Sequence, residues 1–378
     1  MKSSNRWRIA WLTNAPSADQ IDLLAALAAR PDVELSVLYC SPHAVKGEID
    51  SGAPLGRGMA LTGSTLPGLE GGLFFNPSVI RTLVGSAYDV LIISGYAHLT
   101  MQLAMLVRVL QRKPWLLFAE RPGLNQASFR RRLLRRIAMY MVPSAAGVIA
   151  TGRLAREAFA SQLDPLKDLF SVPYLINHTD FLCLKRSSRA PEIVSFMACG
   201  QLVHRKGFDV LLKAFERAVQ VRRDISLTIV GDGPERTALA TLITDDCRDR
   251  VSLLGPVPFD ERVRVFADAD VFIHPARHEG WGVVVQEALA AGMPVIATRQ
   301  TGAAYDLIDP GTNGFLFDAE DEEALVSYIN WFADHRAAIS EFGRSARAAV
   351  AHLTPEWGAA ELVRITQSVI SRHHPASA

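Results

Sequence analysis

Short β-branched runs alternate with longer amphipathic segments through most of the chain, the pattern of βαβ units in which parallel sheets are covered on both faces. In the first half this predicts strands at Arg8–Thr13, Glu34–Tyr39, Asp89–Ser94, Trp115–Ala119 and Gly147–Thr151, with helices at Ala18–Ala29 and His98–Gln111 between them. The stretch from Ser41 to Phe75 breaks the rhythm with eight glycines and three prolines, and reads as a long loop or flap. The first pattern ends near Tyr174–Asp180, and a new strand begins at Glu192–Phe196 after Arg186–Pro191, where the linker is expected. The alternation then resumes with a helix from Phe208, a strand at Leu227–Val230, a helix from Pro234, and strands at Val251–Leu254, Val271–His274 and Val295–Thr298. The expected organisation is an N-terminal domain over 1–180, a C-terminal domain over 190–352, and a proline-started helix over 353–378 that packs back on the first domain.

With 378 residues the chain exceeds the size at which one hydrophobic core keeps growing, which agrees with two domains. Lys plus Arg number 40 against 39 for Asp plus Glu, a balance that argues against a general nucleic-acid binder. Cys40, Cys183, Cys199 and Cys247 are scattered and form neither a CxxC pair nor a metal-like cluster with histidines, so buried free thiols in a reducing compartment are expected. The start Met1–Arg8 leads into a strand without an h-region or cleavage site, and Val90–Leu110 and Ile137–Ala150 are interrupted by polar residues or Pro143. A cytoplasmic location follows as the expectation.

The most informative stretch runs from His278 to Thr298. Gly280 and Gly282 let a ligand approach the backbone where a helix begins, and that helix start favours an anion such as a phosphate. Glu279 lies just before the helix and Glu287 nearly two turns inside it. Carboxylates beside a phosphate are better suited to accepting from hydroxyls, so the pattern describes a phosphate flanked by sugars. An ordinary amphipathic helix ended by Gly292 and Pro294 explains Val283, Val284, Ala288 and Leu289, but not the two glutamates with the paired glycines.

Other segments fall at strand ends of the second domain, where ligands of doubly wound sheets bind. Gly200–Asp209 carries Arg205, a bidentate fork, and Lys206, a point charge, and reads as well as a solvated basic turn. Gly231 and Gly233 supply a tight turn before Pro234, but the third glycine of a dinucleotide fingerprint is missing, and the Gly200 segment is not a P-loop. Thr301 and Gly302 follow the next strand and bring more backbone N–H groups, or simply turn the chain.

Taken together, Glu279-x7-Glu287, Gly200–Gly207, Gly231–Pro234 and Ala291–Ile296 resemble the retaining glycosyltransferases of family 4. The resemblance implies the GT-B architecture, two Rossmann-like doubly wound parallel-sheet domains facing a central cleft. It also implies a hexosyl transfer from a nucleoside-diphosphate sugar to a saccharide or lipid-linked saccharide, in assembly of a bacterial surface polysaccharide. By the same resemblance Glu287 accepts from ribose hydroxyls and Glu279 from the donor hexose. Lys206 neutralises the diphosphate, and the stretch Gly280, Trp281, Gly282, Val283 and Val284 cradles it. No cofactor or metal is usually required. The arginine that the family places five positions before the lysine is Gln201 here, with Arg205 beside Lys206. Glu120 stands near the place of a family histidine, and His98 also follows a strand but reads as well as a helix-start residue.

Arg130, Arg131, Arg132, Arg135 and Arg136 form a basic amphipathic stretch that suits either an anionic membrane surface or a solvated helix face. Two alternatives share the architecture: a hydrolysing nucleotide-sugar epimerase, and a nucleotide-sugar-binding protein with weakened catalysis.

Overall fold

The computed structural model describes residues 6–15, 18–41, 56–66, 72–122, 137–165, 167–186 and 192–373. The chain divides into two compact units, Met1–Ile176 with Thr354–Ala378 and Asn177–Leu353. Arg186, in the stretch expected to start the linker, is tied into the second unit: its guanidinium donates to the carbonyls of Ala291, Ala269 and Phe266 at 2.6, 2.5 and 2.7 Å.

In the first unit the strands are β1 (Trp7–Thr13), β2 (Val33–Tyr39), β3 (Arg57–Ala60), β4 (Ser64–Leu66), β5 (Leu73–Phe75), β6 (Val90–Ser94), β7 (Trp115–Ala119), β8 (Gly147–Ala150) and β9 (Leu169–Ser171). Seven of them form one sheet in the order β3-β2-β1-β6-β7-β8-β9, and every pairing in it is parallel. Its central strands are buried on both faces, which is why Ile9–Leu12 and Val90–Ile93 read as unbroken apolar runs. The glycine-rich stretch departs from the loop expected of it. Its described residues place β3 at the sheet edge beside β2 and pair β4 with β5 as an antiparallel ribbon. Short strands with so little apolar periodicity escape a pattern reading.

The Pro355–His373 helix belongs to this unit and packs on the Ala18–Ala28 helix, where a Cβ on Gly358 would come within 3.0 Å of Leu23 Cδ1. Arg372 pairs with Asp168 at 2.7 Å, fixing its far end to the segment before β9.

The second unit holds β10 (Val194–Cys199), β11 (Ile225–Val230), β12 (Val251–Gly255), β13 (Val271–His274), β14 (Val295–Thr298) and β15 (Gly314–Phe317), in the order β12-β11-β10-β13-β14-β15. All pairings are parallel. Relabelled from β10 this is the 3-2-1-4-5-6 order of a doubly wound sheet, with its switch point between β10 and β13. Val194, Phe196 and Ala198 of β10 pack with Phe208, Leu211 and Phe215 of the following helix and with Ile329 and Phe332. Each such aliphatic or aromatic side chain taken from water contributes roughly 1.5–3 kcal/mol.

Candidate active site

The two strands that flank the switch point of the second sheet deliver the two loops singled out by sequence. After β10 the chain makes a 3-10 turn, His204–Lys206, and Gly207 at φ 68° starts the Phe208–Val221 helix. After β13 comes the loop that carries Glu279 and enters the Val283–Ala290 helix through Gly282, at φ 92°. The helix stops as a Schellman motif: Gly292 N–H donates to Leu289 O at 2.9 Å and Met293 N–H to Ala288 O at 3.0 Å, with Gly292 at φ 73°. The first N–H groups of such a helix lack partners within it.

At this spot Lys206 Nζ and Arg205 Nη1 both donate to Glu279 Oε2, the arginine at 2.7 Å. Lys206 and Glu279 are largely withdrawn from solvent, while the Arg205 side chain remains 38% exposed. Burial pushes the Glu279 carboxyl up, but the Lys206 ammonium, with Arg205, more than offsets this and holds it below the ordinary carboxylate range. It is therefore ionised.

Glu279 is anchored through its backbone as well. Its N–H donates to Gln300 O at 3.3 Å, it bridges in parallel with Thr301, and Ala303 N–H donates to Trp281 O at 2.8 Å. Thr298 Oγ1 donates to Ala276 O at 2.6 Å and lies 3.2 Å from Thr301 Oγ1. A Cβ on Gly302 would collide with Gly280 O, so the loops after β13 and β14 meet backbone to backbone there.

One residue before the loop, His274 ends β13 with only 2% of its surface exposed. Burial, with Lys206 nearby, drives its imidazole down to about 3, so the ring is neutral. Its Nε2 is buried without a hydrogen-bond partner.

Glu287 lies inside the helix, 1% exposed, and its Oε2 accepts from the Arg262 guanidinium on the Phe259–Ala267 helix. Burial outweighs this pairing and leaves the carboxyl above its ordinary range. Among the remaining candidates, Trp281 turns inward, 1% exposed, and donates from Nε1 to Gln286 Oε1 at 2.6 Å. Val284 is buried and Val283 half-buried. Gly231 and Gly233 lie against the neighbouring loop: a Cβ on either would strike Gly200 O or Leu202 O. They set the approach of the β10 and β11 loops, which Leu202 N–H closes by donating to Asp232 O at 2.9 Å.

Sequence reading missed Arg277. Its guanidinium reaches Asp209 at 2.8 and 2.7 Å, His204 O at 2.6 Å and Glu320, and its own N–H donates to Arg205 O at 2.9 Å. It fastens the Arg205–Lys206 turn to the Glu279 loop. Arg262 and His274 were missed as well. The only signal for His274 is a polar residue closing an apolar strand, and for Arg277 its place two residues before Glu279.

In the first unit, His98 and Asn14 follow β6 and β1, the strands that flank that sheet's own switch point. His98 occupies the helix-start position but makes no capping bond there. Phe74 N–H donates to its Nδ1 at 3.1 Å, so the neutral ring carries its proton on Nε2, 2.8 Å from the Asn14 carboxamide. Turning that carboxamide end for end supplies the acceptor and satisfies Asn14 Oδ1, otherwise buried without a partner. Burial lowers the His98 pKa. Glu120 follows β7 directly and is exposed. Arg130, Arg131, Arg132, Arg135 and Arg136 lie outside the described residues. Among the described residues no helix is long and apolar enough to cross a membrane, and no group of three His, Cys, Asp or Glu could hold a metal ion.

Two doubly wound parallel-sheet units place the protein in the GT-B class of folds. Within the second unit, residues 194–335 match the family described as Glycosyl transferases group 1. Over 172 residues, 43% of each chain, the protein is 36% identical to a GDP-mannose-dependent monoacylated alpha-(1-6)-phosphatidylinositol monomannoside mannosyltransferase of Corynebacterium glutamicum. It is 36% identical to a lipopolysaccharide core biosynthesis glycosyltransferase, LpsE, of Rhizobium meliloti over 137 residues, 35% of this chain and 37% of that one. The chain thus spans well under two thirds of the length of these curated relatives. The solved structure of Anabaena Alr3699/HepE in complex with UDP superposes with a TM-score of 0.75 at 18% identity, covering 96% of this chain and 100% of that one.

Proposed function

We propose that the protein is a retaining glycosyltransferase that moves a hexosyl group from a nucleoside-diphosphate sugar to a saccharide or lipid-linked saccharide. The observation that carries this reading is the convergence of Arg205, Lys206 and Glu279 at the N-terminus of the helix that contains Glu287. The diphosphate takes Lys206, Arg205 and the helix N–H groups, which releases Glu279 to accept from hydroxyls of the sugar. Glu287 accepts from the ribose in place of Arg262. Preorganised cations and dipoles then stabilise the charge that develops on the departing diphosphate, the role for which a metal ion is otherwise used.

In the transfer itself the bond from the anomeric carbon to the phosphate oxygen breaks and a bond to the acceptor oxygen forms on the same face. The acceptor's proton passes to the departing phosphate oxygen, so the step needs no enzymic nucleophile. The names of the relatives favour a GDP-mannose donor and a glycolipid or lipopolysaccharide acceptor. A lipid-linked acceptor would bring the protein to a membrane surface, where the arginines of 130–136 supply the matching charge.

A panel of nucleotide sugars, GDP-mannose first, is assayed for nucleoside-diphosphate release with and without a lipid extract. Release that depends on acceptor and disappears in Lys206→Ala and Glu287→Ala supports the reading. Release of free sugar without any acceptor would move the assignment to a hydrolysing epimerase, and binding without turnover to a non-catalytic nucleotide-sugar-binding protein.

A further inference from the structure

Among the buried polar groups around the switch point of the second sheet, His274 is one that the reading above does not use. Its side chain sits at the carboxyl end of β13, almost fully buried, with Nε2 unpartnered. Leaving a buried ring nitrogen unsatisfied has a cost that an apolar residue at the same place would avoid. The neighbourhood shows where this nitrogen is aimed. The position that a Cβ would occupy on Gly282 lies 3.6 Å from His274 Nε2, 3.3 Å from Glu279 Cγ and 3.0 Å from Thr301 Cγ2. The missing side chain of Gly282 therefore leaves a narrow gap between His274, Glu279 and Thr301 at the mouth of the Val283–Ala290 helix, too tight for a Cβ without some give from Thr301 but bordered by the unpartnered ring nitrogen.

We propose that His274 is a binding and specificity-determining residue whose Nε2 pairs with a hydroxyl of the transferred sugar in the space over Gly282. This rests on the reading of the second unit as a nucleotide-sugar site, and adds to it a group that reads the sugar rather than the diphosphate. A hydroxyl is both donor and acceptor, so it matches the neutral imidazole in either tautomer, whereas a phosphate oxygen matches only a protonated nitrogen. Glu279 lies on the same space and its ionised carboxylate takes only donors, so the two side chains together suit a pair of neighbouring hydroxyls. The low pKa of His274 keeps the ring in the form this requires.

The test compares the full chain with His274→Leu and His274→Gln by calorimetric titration with GDP, GDP-mannose, UDP and UDP-glucose, and by thermal denaturation without ligand. The inference expects one nucleoside diphosphate to bind all three proteins equally. The matching nucleotide sugar should bind His274→Leu about tenfold more weakly, with part of the affinity returned in His274→Gln, whose carboxamide also donates and accepts. The unliganded His274→Leu protein should melt no lower than the parent, because an orphan polar group has been removed. Equal binding of the sugar nucleotide by all three overturns the inference and leaves the donor site standing. So does equal weakening of diphosphate and sugar nucleotide, which would assign His274 to the diphosphate, or a marked fall in melting temperature of both variants, which would make it structural. Failure of the parent protein to bind any of the four ligands overturns the donor-site reading itself, and this inference with it.

Discussion

Arg262 and Glu287, 25 residues apart in the chain, form an ion pair in which the carboxylate is almost completely buried. Removing one partner of such a pair leaves the other uncompensated, while removing both is far less damaging. Arg262→Leu should therefore destabilise the protein by about 3 kcal/mol in urea denaturation, and Arg262→Leu with Glu287→Leu should recover most of that loss. If the single variant is as stable as the parent, the pair has no structural weight.

Arg205 shares the Glu279 carboxylate with Lys206, while Gln201 occupies the position where the resemblance places an arginine. If Arg205 carries phosphate charge, Arg205→Ala should lower kcat/KM about 10- to 100-fold, the worth of one charge-assisted hydrogen bond, with Gln201→Ala nearly silent. Steady-state kinetics with the donor found active decides it, and a silent Arg205→Ala would sink this role.

Arg277 does not touch the space over Gly282, yet it joins the loops on either side of it. Arg277→Ala should raise the donor KM about tenfold and lower the melting temperature. Arg277→Lys should restore little of either, because an ammonium cannot fork across the Asp209 carboxylate. Full rescue by lysine would show that charge alone matters.

His178 is 4% exposed, neither ring nitrogen has a partner, and burial lowers its pKa to about 4. In the pH range between that value and the ordinary 6.5, the unfolded chain binds a proton that the folded one refuses, so stability rises with pH. The contribution is complete above 6.5 and is lost as the pH falls towards 4, on the order of 3 kcal/mol. The difference in melting temperature between His178→Leu and the parent should be constant near neutral pH and widen in favour of the variant on the acid side. Parallel curves would contradict the assignment.

With leaving-group charge carried by Lys206, Arg205 and a helix N-terminus, turnover should persist within about twofold in excess EDTA. Complete loss, restored by a divalent cation, would show that these groups do not suffice.

The sheets and the principal site were largely legible because both rest on local pattern. Strands buried on both faces give unbroken apolar runs, and Glu279, Gly282, Glu287 and Gly292 lie within one short segment whose helix start and stop follow from glycine and proline alone. What escaped was set by distance or by weak periodicity. The Arg277–Asp209 contact spans 68 residues, and no local pattern announces it. β9 is only three residues long, too short for a period to show. Trp281 stands between two glycines, and its inward indole is held by Gln286 five residues on.

Gly231, Gly233 and Gly302 each face a backbone carbonyl of another loop at a distance that no Cβ could share. A side chain can be exchanged without moving its neighbours, but a peptide group cannot step aside without carrying its strand along. The spacing of the loops around the Val283–Ala290 helix is in this sense frozen, and on the function proposed above the freedom to accept a different donor sugar resides in the few side chains that line it. A lineage that changes its donor would therefore do so by altering residues such as His274 on an unmoved frame, and would pay for any glycine it lost with the whole site.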